Sequence, residues 1–127
     1  MVTHSDKSIT IAAWVLRIGV FGIFLGHGIY AIRANIGWVP LLETVGFSTE
    51  LAVQIMPFIG MLDILVAISV LVKPLRLILI WAVFWTFLTA LMRPIAGGSI
   101  LDFMERTGNW ATPLTLLLIL HWKKSEK

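Results

Sequence analysis

Four apolar stretches dominate the chain: Ile9 to Ile32, Leu51 to Val72, Leu75 to Met92 and Trp110 to Trp122. A helix of about 20 apolar residues crosses the hydrocarbon core of a bilayer, so a chain carrying these stretches has to bury them against lipid or against one another. In 127 residues they leave only two sizeable loops and two short tails, too little for a separate soluble domain. The expected fold is all-α: a single four-span domain over residues 1–127, an integral membrane four-helix bundle. A hydrophobic share of 58% and a mean hydropathy of +0.92 lie above those of an ordinary soluble domain.

Arg17 interrupts the first stretch, no A-x-A-like site follows it, and the apolar run continues through His27 to Arg33. It is expected to stay in the mature protein rather than be removed as a signal peptide. The chain has no cysteine, which excludes disulfide exchange, c-type haem attachment and cysteine-held iron–sulfur clusters within it. Any redox role would need a borrowed cofactor.

If all four stretches cross, the N-terminus, the turn at Lys73 and Pro74, and the C-terminus share one side. That side carries Lys7, Lys73, Arg76, Lys123, Lys124 and Lys127, against Arg33, Arg93 and Arg106 on the other. The positive-inside rule puts both termini in the cytoplasm, and the charge distribution fits a bacterial inner membrane. It also accounts for a pI near 9.7 without nucleic acid as a partner. The outer loops GWVPLLETVGF and SILDFMER mix apolar and charged residues in short helical patterns and read as helices lying in the interface. Ser99 with Asp102 three residues on forms a capping-box pattern, and Gly108 reads as a helix stop. Trp110 to Trp122 would span only about 20 Å, short of a core of about 30 Å, so ERTGN is expected to dip into the membrane.

The ionisable residues in or beside the spans are Arg17, His27, Asp63, Arg93 and, with the dip, Glu105 and Arg106. Charge in lipid is costly, so each should face the bundle and find a partner. Counted from the outer ends, Arg17 and Asp63 lie at similar depths and are the expected ion pair, either a structural lock between the first two helices or a proton or ligand site. Asp63 shares a stripe with Met56, Gly60 and Ala67, and Pro57 lies one turn outward, where it can kink the helix. Thr86, Thr89 and Arg93 share a face of the third span, beside a stripe of Trp81 and Trp85. The threonines suit hydrogen bonds between helices, while Arg93 suits either the bundle or a snorkelling position at the headgroups.

His27, between Gly26 and Gly28, falls level with Met56, Thr89 and Met92 in an expected outer polar chamber. Gly22 with Gly26 makes a GxxxG surface for close helix approach, and Tyr30 is placed to put a phenol beside the imidazole. Three roles stand for His27: hydrogen bonding within the fold, ligand or proton handling, and haem ligation opposite Met56, Met92 or a ligand from another subunit. His121, at the opposite end of the bundle, cannot complete a bis-histidine haem with it.

LRIGVFGIFLGHGIY, PFIGMLDILVAISVLVKPLR, WTFLTALMRPIAGG and FMERTGNWATPLTLL, in that order, resemble the DoxX-like family of small four-helix membrane proteins, which includes the small subunit of thiosulfate:quinone oxidoreductase. The resemblance covers most of residues 15 to 120. It implies an integral membrane subunit associated with a quinone-linked or haem-linked oxidoreductase, with quinone or haem b as the cofactor and other membrane subunits or further copies of the chain as partners. Wider relatives act as membrane chaperones or cargo receptors. The expected ligand-binding residues are His27, Tyr30, Asp63, Thr89, Arg93, Glu105, Arg106 and Asn109. The other reading is a non-enzymatic bundle that binds a lipid, an apolar small molecule or a partner membrane protein.

Overall fold

The computed structural model describes residues 4–33 and 36–121, and no strand occurs among them. The elements are α1 (His4–Ile32), a 3₁₀ turn (Ile36–Trp38), α2 (Val39–Thr44), α3 (Thr49–Val72), α4 (Arg76–Ile95), α5 (Ile100–Met104) and α6 (Thr107–His121). Three of them, over Asp6–Ile32, Thr49–Val72 and Arg76–Ile95, are long and apolar enough to cross a membrane. α6 is shorter, at 15 residues. Trp122 and lysines 123, 124 and 127 lie outside the described residues, and α1 begins at His4, ahead of the apolar stretch that opens at Ile9.

Local chemistry sets the boundaries. Ser48 caps α3 by accepting from the Leu51 N–H, and the Thr49 hydroxyl donates to the Glu43 carboxylate, tying α3 to α2. Ser99 and Asp102 form the expected capping box at α5. Gly46 and Gly97, at φ of +105° and +101°, turn the chain out of α2 and α4, a conformation that a side chain would strain. Gly108 is no helix stop: α5 gives way at Glu105 and Arg106, and Gly108 lies inside the first turn of α6. Both short helices expected in the outer loops are present, as α2 and α5.

α1 packs mainly on α3, and α4 mainly on α6, with α6 also against α1; α3 and α4 make few direct contacts with each other. One end of this arrangement is solid. Val20, Phe24, Val70, Leu79 and Leu116 are fully buried there. A second small core of Ala31, Val39, Ala52 and Met56, with Trp38 and Leu42 against it, holds α2 over the other end.

The α1–α3 contact runs through glycines other than those expected. A Cβ built on Gly60 would lie 2.5 Å from the Gly28 carbonyl oxygen, and one on Gly28 would lie 2.8 Å from that of Gly60. At Gly22 and Gly26 an added Cβ meets nothing within 4 Å, so this pair makes no close approach inside the chain.

That contact also overturns the Arg17–Asp63 pair. With Gly28 opposite Gly60 in antiparallel helices, the residue level with Arg17 is Leu71, and Asp63 lies about 12 Å further along the axis at 1.5 Å per residue. Arg17 instead donates through Nε to the Val70 carbonyl at 3.2 Å and through a terminal nitrogen to the Leu71 carbonyl. The Val70 oxygen is free because its helical donor would be residue 74, a proline without an N–H. The guanidinium also lies 3.9 Å above the Trp14 ring. From α6, the His121 ring nitrogen meets the Pro74 carbonyl at 3.1 Å, so the α3–α4 turn is held from two sides.

Candidate ligand chamber

Because α3 and α4 barely touch, the end of the bundle under α2 encloses a cavity of about 380 Å³. α1 contributes His27 and Ala31, α3 Ile55, Met56, Ile59 and Asp63, and α4 Trp85, Leu88, Thr89, Met92 and Arg93; Trp38, α2 and the turn after it form the cover. The lining is overwhelmingly apolar with a few polar groups, the general make-up of a small-molecule site.

Asp63 is the most deeply placed of those groups, at 3% exposure. Its Cβ would be 3.3 Å from a Cβ on Gly28, so the absence of a side chain at Gly28 is what lets Asp63 sit against α1. Oδ1 is buried without a hydrogen-bond partner, and the side chain in hydrogen-bonding relation to the carboxyl is Trp85. Trp85 in turn stacks on Trp81 at 5.3 Å and 14°. Arg93 lies nearer the cover, its guanidinium 5.7 Å from the Trp38 ring centre and its Nε buried without a partner. Arg93 thus faces the interior rather than snorkelling outward.

Thr89 lines the chamber, but its hydroxyl donates to the Thr86 carbonyl at 3.1 Å, and Thr86 donates to the Ala82 carbonyl at 2.7 Å. Both threonines satisfy themselves on their own helix, not across to a neighbour as expected. His27 is half-buried and meets the Trp38 ring edge-on at 5.7 Å and 84°. Met56 and Met92 share the chamber with it.

Of the eight expected ligand-binding residues, His27, Asp63, Thr89 and Arg93 meet in the chamber, while Tyr30, Glu105, Arg106 and Asn109 do not line it. Tyr30 is 55% exposed and touches the outer side of Trp38, which stands where the phenol was expected beside His27. Glu105 and Arg106 pair with each other at 2.9 Å on the α5–α6 turn, and Arg106 also donates to the Asp102 carbonyl. Asn109 is in the first turns of α6, its backbone N–H bonded to the Arg106 carbonyl.

The residue that organises the mouth, Trp38, was not among those expected. It touches His27, Tyr30 and Arg93 at once. Its signal in the sequence is a tryptophan directly before the apolar VPLL of a short loop helix, which equally describes an interfacial anchor. No family model, curated protein or solved structure matches the chain.

Proposed function

We propose that the protein is a DoxX-like integral membrane subunit that spans the bilayer four times with both termini in the cytoplasm, and that its outer chamber binds a quinone-type molecule. Large apolar side chains facing away from the bundle, among them Phe58 at 70%, Val72 at 74% and Leu77 at 79% exposure, support burial in lipid. The first half of α1, the α3–α4 turn and the end of α6 lie together at one end, as the Arg17 and His121 contacts require; this supports an even number of crossings. The charge bias places that end in the cytoplasm, and a bacterial inner membrane is the compartment that fits. With α6 at 15 residues, about 22 Å at 1.5 Å per residue, the ERTGN turn sits below the outer surface.

The observation that carries the ligand reading is the chamber itself: a mostly apolar cavity with two buried polar atoms, Asp63 Oδ1 and Arg93 Nε, that the chain leaves unpartnered. Buried polar groups are ordinarily satisfied, so these two suit a ligand with an apolar body and few polar atoms. A quinone matches that description: Trp85 and Trp38 line the chamber as aromatic neighbours for the ring, and Arg93 can donate to a carbonyl oxygen. When bound, a quinone would supply two-electron chemistry, with the electrons coming from a partner subunit. α3 and α4 make few contacts beside the chamber, and a ligand entering from lipid between them is consistent with that.

Organic extraction of the protein purified in mild detergent, with optical spectra of the oxidised and reduced sample, tests this. Stoichiometric quinone that is lost when Leu88→Trp fills the chamber is the expected result. Quinone retained by that folded variant, or a quinone-free protein that also fails to take up added quinone, would reject it, and a Soret band that moves on reduction would favour haem at His27 with Met56 or Met92.

A second reading has one observation in its favour. The open surface at Gly22 and Gly26, where an added Cβ meets nothing within 4 Å, leaves room for a helix of a partner membrane protein or of another copy.

A further inference from the structure

The two unpartnered atoms of the chamber ask for opposite things. Arg93 Nε is a donor and needs an acceptor; Asp63 Oδ1, as an oxygen of the ionised carboxylate, only accepts and calls for a donor. They do not satisfy each other, since the one ion pair among the described residues joins Arg106 to Glu105. Nor do they lie at the same depth. Trp85, which partners Asp63, is two turns from Arg93 along α4, about 11 Å at the helical pitch. The wall of the chamber besides them includes Met56, Leu88 and Met92, Thr89, whose hydroxyl is already used on its own helix, and the His27 imidazole as a further polar group.

A ligand that fills this space is therefore read at two points, and the deeper one discriminates. Asp63 is 3% exposed, so water does not replace a missing ligand donor at no cost. An aprotic molecule seals the carboxyl oxygen against apolar atoms, whereas a hydroxyl on the inner end of the ligand donates to it. Sites that hold a buried polar atom for a ligand hydroxyl reject analogues without one far more strongly than they reject differences in apolar bulk.

Resting on the quinone-type reading above, we propose that Asp63 makes the chamber selective for the hydroxyl-bearing, reduced member of such a ligand pair: a hydroquinone or phenol with its O–H on Asp63 and its opposite oxygen on Arg93. The oxidised quinone offers two acceptors and no donor. It satisfies Arg93 and leaves the Asp63 carboxylate unpaired, so with Asp63 ionised the chamber holds the quinol more tightly than the quinone.

The test is equilibrium binding to the full chain in lipid nanodiscs, with an alkylated hydroquinone kept reduced, the matching quinone, and the hydroquinone dimethyl ether, which keeps the apolar body and has no donor. The hydroquinone should bind about tenfold or more tightly than either of the others. In Asp63→Leu the three affinities should converge, since the hydroquinone loses its acceptor and the two aprotic probes no longer seal an unpaired oxygen. Equal affinities of the three probes for the native chain would overturn the selectivity and leave the chamber reading standing. Binding of none would remove both. If Asp63→Leu does not fold, the three-probe comparison on the native chain still decides, and Asp63→Asn, which supplies a donor of its own, should shift preference toward the quinone; an unshifted preference would count against Asp63 as the discriminating group.

Discussion

Gly28 and Gly60 stand face to face across α1 and α3, each so close that a Cβ on one would press on the carbonyl oxygen of the other, at 2.8 and 2.5 Å. This contact sets the register of the two helices, brings Asp63 against α1 at Gly28, and leaves Arg17 level with the end of α3.

Gly60→Ala should destabilise the protein by about 1–3 kcal/mol, the usual range for overpacking a tight contact. The added methyl meets backbone and the Ile32 side chain, neither of which can move freely. Gly22→Ala and Gly26→Ala put a methyl into open space and should be neutral or slightly stabilising, by up to about 1 kcal/mol from helix propensity. Thermal unfolding in one detergent compares them; a larger loss at Gly22 than at Gly60 would invert the assignment.

Arg17→Gln should lower stability by about 1.5–3 kcal/mol through loss of a charged hydrogen-bond donor to the Val70 and Leu71 carbonyls. Combined with Asp63→Asn its effect should be additive within about 0.5 kcal/mol, as for sites without shared partners. A coupling well above that in the double-mutant cycle would restore the ion pair.

Trp38→Ala should open the mouth of the chamber. Ala31 is 1% exposed and lines the cavity beneath Trp38, so a cysteine placed at Ala31 should react slowly with a small membrane-impermeant thiol reagent in the native background and several-fold faster once Trp38 is removed. An unchanged rate would mean that Trp38 does not cover the cavity.

A cysteine at Thr107 should label more slowly than one at Ser48 in intact membranes, although both positions are exposed in the protein itself. Lipid headgroups covering the short α6 would cause the difference. Equal rates would put the ERTGN turn in solvent.

Much of this was legible in the chain because it depends on near neighbours. The long apolar stretches, the stop at Lys73 and Pro74, the capping box of Ser99 and Asp102, and the short helices beneath GWVPLLETVGF and SILDFMER all follow from residues within a turn or two of one another. So does the membership of His27, Thr89 and Arg93 in one half of the bundle, whereas Asp63 was set at the depth of Arg17. What a linear count could not supply is how one helix slides and rotates against another. Depth measured from span ends paired Arg17 with Asp63, because nothing local states that Gly28, not Gly22 or Gly26, is the point of contact. Tyr30 lies only about 60° around α1 from His27, yet that rotation separates the chamber from the outer face of Trp38. Register and rotation were decided by packing between residues far apart in the chain: two missing side chains at Gly28 and Gly60, and an arginine drawn to the carbonyls at the end of α3, that of Val70 left without a helical donor by Pro74.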